Sequence, residues 1–154
     1  MPTIEHLDLV VSDIERSLPF YRELLKPLGW RAHRKVRGER GETIHYLWGP
    51  GIRGAVGIRQ SQSDAHPLPY DRYGVGVHHA AFLARSRRRV DERAEWLRGH
   101  PDARIESGPE PYDYTPGYYA VFFQDPDGLK LEIVHRPLWR VPFTRRRGAA
   151  SPAA

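Results

Sequence analysis

The sequence predicts an α+β fold made of two βαβββ modules. Its 154 residues can bury one sizeable core. Short alternating, strand-like runs are interrupted by only two stretches of helical period. The order strand, cap, helix, strands then occurs a second time, displaced by 73 residues.

The first unit opens with TIEHLDLVV at 3–11, whose alternation and β-branched residues read as a strand. Asp13 suits the N-cap of a helix over 14–25, where Ile14, Leu18, Tyr21 and Leu25 share one face. Pro19 inside that helix forfeits one backbone hydrogen bond, and Gly29 closes the unit. Strand-like runs follow near 30–37, 43–48 and 53–60, separated by RGERGE and GPGIRG.

The second unit repeats this plan. VHHAAFLA at 77–84 is the strand, and Ser86 is the cap of a helix over 87–98 that aligns Val90, Ala94 and Leu97. Further runs lie at 103–107, 117–124 and 129–135, the last two joined by the turn DPDG. The displacement lays His6 on His79, Leu9 on Phe82, Asp13 on Ser86 and Leu24 on Leu97 without a gap. The modules therefore span about 3–62 and 75–136 of one domain, 1–136. Residues 137–154 form a C-terminal arm, expected to be partly disordered, in which Trp139, Val141 and Phe143 alternate with Arg140 and Pro142.

Composition narrows the function classes. The hydrophobic content of 40% and charged content of 28% are those of an ordinary soluble globular chain. No run reaches the roughly 18–20 apolar residues of a membrane span. The start MPTIEHLDLVV lacks the layout of a secretory signal, so the expected location is cytoplasmic. Without cysteine there is no disulfide, thiolate nucleophile or cysteine-bound metal. The net charge of +5 comes with no zinc-finger spacing, RNA-binding signature or helix-turn-helix, so nucleic acid is not an expected partner.

The segments IEHLDLVVSDIERSLPFYRELLKPLGW at 4–30, VHHAAFLA at 77–84 and YYAVFFQDPDGLKLEIVH at 118–135 resemble the vicinal oxygen chelate superfamily. That superfamily includes glyoxalase I, extradiol dioxygenases, and the fosfomycin- and bleomycin-resistance proteins. The resemblance covers about residues 3–136. It implies paired modules forming a curved mixed sheet around a metal-centred cavity, closed within one chain or across a homodimer.

Strand alternation tests this independently. Leu7, Leu9 and Val11 share one face of the first strand, leaving His6, Asp8 and Val10 on the other. By the repeat, His79, Ala81 and Leu83 take the face of His6. In the last strand Leu129, Leu131 and Ile133 face the helix, so Lys130, Glu132 and Val134 face away. His6, His79 and Glu132 thus share the helix-free side, and they converge if the modules close around one cavity. Two imidazoles and a carboxylate suit Fe2+, Mn2+, Co2+ or Ni2+, and also a catalytic Zn2+. The superfamily's ligand positions fall on the same three residues.

The same displacement sets Arg59 opposite Glu132, where glyoxalase I carries a second glutamate. This departs from the lactoylglutathione lyase pattern. Phe122 likewise stands where extradiol dioxygenases carry a tyrosine. Arg59 is a candidate for holding an anionic substrate group, or it ends its strand in solvent. Tyr114, Tyr118 and Tyr119 are candidates for a substrate clamp or proton donor, the other reading being packing on the core. His66, in a loop, is a candidate acid or base, and His45 and Trp48 are candidates for the cavity wall. His78 is expected to face the helix side or solvent. Two functions follow. One is a metal-dependent enzyme of the glyoxalase/dioxygenase type on a small substrate chelating through neighbouring oxygens. The other is a metal-free, ligand-sequestering protein like the bleomycin-resistance members.

Overall fold

The computed structural model describes residues 4–51, 54–63 and 70–137. The C-terminal arm after Pro137 lies outside the described residues. The first module holds β1 (His6–Val11), α1 (Ile14–Leu25), a 3-10 turn at Lys26–Leu28, β2 (Ala32–Arg37), β3 (Thr43–Trp48) and β4 (Ala55–Gln60). The second holds β5 (Ala80–Leu83), α2 (Arg87–Gly99), β6 (Arg104–Pro111), β7 (Tyr119–Gln124) and β8 (Lys130–His135). No helix among the described residues is long and apolar enough to cross a membrane.

Both helices start where their caps dictate. Asp13 Oδ1 accepts the backbone N–H groups of Glu15 and Arg16 at 2.9 and 3.3 Å. Ser86 Oγ accepts the N–H of Arg89 at 3.3 Å. Gly29 ends the first unit at a φ of 108°, a left-handed geometry that glycine adopts without steric cost. α1 runs unbroken through Pro19, because its buried residues Phe20, Tyr21, Leu24 and Leu25 anchor the helix on both sides of the missing bond.

Each module forms a four-stranded mixed sheet, ordered β1-β4-β3-β2 and β5-β8-β7-β6. β1 runs parallel to β4 and β5 parallel to β8, while the remaining pairs are antiparallel. β1 and β5 are therefore the outer strands of their sheets, and among the described residues no ladder joins the two sheets.

One hydrophobic core serves both modules. Leu9, Val11, Val56 and Ile58 of the first sheet share it with Phe82, Val121, Phe123, Leu131 and Ile133 of the second and with the buried faces of α1 and α2. Phe20 of α1 lies 5.5 Å from Trp96 of α2, ring to ring, and Trp30 meets Phe82 edge-on at 5.9 Å. Each sheet thus turns its helix-covered face toward the common core and its other face away from it. Tyr118, Ala120, Phe122 and Val134 form a separate, smaller cluster on that outer face of the second sheet.

A polar latch accompanies the shared core. The turn joining β7 to β8 is built by Asp125, whose Oδ1 accepts the N–H groups of Asp127 and Leu129 at 2.9 and 2.8 Å. The Tyr21 hydroxyl, from α1 of the other module, donates to Asp125 Oδ2 at 2.6 Å. Beside it, Asp127 accepts the Ser12 N–H at 2.7 Å and pairs with Arg16 at 2.8 Å. Burial raises the Asp125 carboxyl above its usual range, and the Tyr21 hydrogen bond opposes that shift. Tyr21→Phe leaves Asp125 Oδ2 buried without this donor, at a cost of about 1–3 kcal/mol. Urea unfolding should show the loss as a lower midpoint with an unchanged slope.

Candidate metal centre

The outer face of the second sheet brings His79 and Glu132 together. Glu132, in the middle of β8, pairs in register with Ala81 on one side and Phe122 on the other. Its side chain is only 2% exposed, and its Oε2 lies 3.4 Å from His79 Nε2. The Tyr118 hydroxyl donates to the other oxygen, Oε1. Burial pushes the Glu132 carboxyl above its usual range, while Tyr118 and His79 pull it down. The Tyr118 phenol is itself raised, first by burial and then by the carboxylate it touches.

His79 precedes β5, so strand alternation does not yet govern the doublet. Of the two expected placements His78 takes the solvent one: it is exposed, its Nδ1 lies 2.8 Å from His79 Nδ1, and its ring meets Tyr73 edge-on. Burial first, then the neighbouring His79, lowers the His78 pKa. This contact was invisible to a reading that treated both histidines as members of one regular strand.

His6 stands on the outer face of the first sheet. Its Nδ1 is bound to the Glu5 carboxylate, which raises its pKa. Its ring meets Tyr46 edge-on at 5.6 Å. An open groove of about 470 Å³ beside it is lined by Glu5, Arg34, Val36, Tyr46, Trp48 and Ala55, among others. Among the described residues of a single chain, no three acidic or histidine side chains come within reach of one ion. His79 and Glu132 meet, whereas His6 lies on the other sheet.

The counterpart of Glu132 in the first module is Gly57, not Arg59. Asp8 pairs with Gly57 as Ala81 pairs with Glu132, and Tyr46 pairs with Gly57 as Phe122 pairs with Glu132. The displacement of 73 residues relates β1 to β5, but β3 and β7 have slipped by three more and β4 and β8 by two more, because β6 and the loop after it are longer than their first-module counterparts. A Cβ built at Gly57 would collide with Asp8 Oδ1 and lie 2.9 Å from Tyr46 Cε1, so a larger residue would displace the Asp8 carboxylate from its present place. The Asp8 carboxylate leans into the space where the second module has its glutamate. Asp8 Oδ1 is buried without a hydrogen-bond partner, while Oδ2 pairs with Arg59 at 2.6 Å. Arg59 also pairs with Glu42 at 2.7 Å, so its guanidinium meets two carboxylates of its own chain rather than solvent.

The remaining candidates separate by strand face. Tyr119 points to the helix side, donating to Asp91 at 2.7 Å under the Arg87 guanidinium, opposite to Tyr118. Tyr114 is largely exposed and packs on Tyr112 and on the Tyr118 ring edge at 5.6 and 5.2 Å. Trp48 lines the His6 groove, whereas His45 faces the helix side, with its Nδ1 3.1 Å from His33 Nε2. His66 lies outside the described residues.

The donor chemistry fits a divalent ion. Two faces carry imidazole nitrogens, and a buried carboxylate has one oxygen turned toward a histidine. The family model of the Glyoxalase/Bleomycin resistance protein/Dioxygenase superfamily matches residues 3–133. The chain belongs to that superfamily. Among curated relatives, the uncharacterized protein YqjT of Bacillus subtilis (strain 168) is 32% identical over 136 residues, covering 85% of this chain and 97% of YqjT. The metallothiol transferase FosB of Staphylococcus saprophyticus is 24% identical over 131 residues, covering 85% and 75% respectively. Among solved structures, a putative glyoxalase from Bacillus halodurans superposes with a TM-score of 0.66 at 26% identity, covering 86% of this chain and 95% of that one. A superfamily domain from Frankia sp. EAN1pec gives 0.68 at 23% identity, covering 88% and 98%. Members share the two-module scaffold described above, and it hosts more than one chemistry.

The His33–His45 contact gives a prediction outside the metal face. Burial lowers both pKa values below the ordinary 6.5. The unfolded chain then takes up protons before the folded one, so this contribution is fully present above pH 6.5 and is lost as the pH falls below it. His45→Phe should flatten the fall in folding stability between about pH 6.5 and 5, read from urea midpoints across that range.

Proposed function

We propose that this chain is a metal-dependent enzyme of the glyoxalase/dioxygenase type. Its substrate is a small molecule with neighbouring oxygens, and His6, His79 and Glu132 hold the ion, one of Fe2+, Zn2+, Mn2+ or Ni2+. The observation carrying this reading is the buried Glu132 carboxylate with Oε2 aimed at His79 Nε2. A carboxylate kept that dry is costly unless a cation balances it, and a divalent ion between these two atoms would do so. The metallothiol transferase relative supports metal dependence.

A second copy of the chain completes the ligand set. Since the helix-covered faces share one core, the faces carrying His6 and Glu132 point away from each other within a chain. The outer strands β1 and β5 bear Val10 and Leu83 on those same faces, 63% and 44% exposed. A twofold dimer buries both and sets His6 of one protomer against the partner's His79 and Glu132.

When bound, the ion supplies Lewis acidity to the chelating oxygens. The residues of the chain do the rest. Val36, Tyr46 and Trp48 give an apolar wall beside His6. Tyr112, Tyr114 and Phe122 give an aromatic wall beside Glu132. Closing these walls on each other excludes water from the bound substrate.

Two experiments test this. His79→Ala and Glu132→Ala should each abolish uptake of Zn2+ or Fe2+ by the purified protein, measured by elemental analysis. Failure of the unsubstituted chain to take up either ion would favour the sequestering protein. His6→Ala and Glu132→Ala chains, each inactive in binding, should recover about a quarter of the wild-type sites when mixed and allowed to exchange subunits. No recovery would mean that the site does not cross a dimer.

A further inference from the structure

Each of the three proposed ligands has one of its two donor atoms already engaged by a neighbouring side chain. Glu5 takes His6 Nδ1, His78 takes His79 Nδ1 at 2.8 Å, and Tyr118 takes Glu132 Oε1. The atoms left over are His6 Nε2, His79 Nε2 and Glu132 Oε2. In the second module the two left-over atoms face each other. The pattern follows the internal repeat. Glu5 and His78 are equivalent under the displacement of 73 residues, and each immediately precedes its histidine.

We propose that Glu5, His78 and Tyr118 are positioning residues that select the metal-binding atom of each ligand. The inference rests on the ligand set proposed above and goes beyond it by assigning the two adjacent histidines, His78 and His79, different duties. An imidazole binds metal through the nitrogen that carries no proton, so a partner accepting the Nδ1 proton commits the lone pair to Nε2. Glu5 supplies a carboxylate acceptor for His6, and the His78 ring, with its Nδ1 2.8 Å from His79 Nδ1, supplies the acceptor for His79. Tyr118 works on the carboxylate in the complementary sense. Its hydroxyl has one proton to give, and giving it to Oε1 leaves Oε2 as the atom offered to the ion. Phe122 occupies the strand position directly opposite Glu132 and has no polar atom, so it cannot perform this task. Tyr119, one residue from Tyr118, is turned to Asp91 on α2 and serves as an internal control.

The test measures Co2+ affinity of the full chain by competition with a chromophoric chelator, together with the visible spectrum of bound Co2+. Glu5→Ala, His78→Phe and Tyr118→Phe should each weaken binding by about 10–100-fold and shift the spectrum. Tyr119→Phe should change neither. Glu5→Gln and His78→Asn each keep an oxygen acceptor near the lost one, so both should retain most of the affinity; a role in packing alone would not distinguish these pairs. His78 and Glu5 are exposed, so their variants fold whatever the fate of Tyr118→Phe. Co2+ affinity and spectrum equal to those of the unsubstituted chain in all three variants would overturn the inference and leave the ligand set standing. No Co2+ binding by the unsubstituted chain would overturn both.

Discussion

The packing of both helix-covered sheet faces into one core is the constraint on which the rest of the molecule depends. Phe20 and Trp30 of the first module reach Trp96 and Phe82 of the second, and Tyr21 is buried while bonded to Asp125 across the same boundary. Pulling the modules apart would expose these rings and strip a buried carboxylate of its donor, costs that far exceed the gain from any single surface contact. The modules are therefore fixed back to back. What they can offer to a ligand is their outer faces, and those point in opposite directions.

That geometry separates what was legible in the sequence from what was not. Alternation along β8 and β5 assigns Glu132 to the helix-free side, and the structure has it there. The same rule separates Trp48 from His45 and Tyr118 from Tyr119, because neighbours of opposite parity face opposite sides. Caps at Asp13 and Ser86 and the helix bounds were legible for a local reason, since their signals lie within one turn of the element they start. The relation between modules was not legible. A repeat reveals that two units are alike but not which faces meet, and that choice is made by contacts such as Phe20–Trp96 between residues far apart in the chain.

Register was the other hidden quantity. A displacement that fits one pair of strands need not fit the next, because each hairpin absorbs its own insertions. The longer β6 and the longer loop after it move the counterpart of Glu132 from Arg59 to Gly57. The departure from the glyoxalase I ligand pattern survives the change, since glycine ligates a metal no better than arginine does. Its meaning does change, because Arg59 is no longer a failed ligand. It is the cation that neutralises Asp8 and Glu42, two carboxylates otherwise left close together beside the strand that carries His6.

The two halves have thus diverged on a common plan. In the second module the carboxylate comes from β8, is held by a phenol through one oxygen and leaves the other toward a histidine. In the first, the carboxylate nearest the same position comes from β1, and glycine on β4 makes room for it. There it is tied to an arginine, a partner that competes directly with any cation for Asp8. A carboxylate bound by a guanidinium is a poor ligand, whereas one held by a neutral hydroxyl keeps its charge available. In the ligand set proposed above, this difference in partners, more than the identity of the acids, is why the first module would contribute His6 and the second His79 with Glu132. It is also why the outer face of neither module suffices alone.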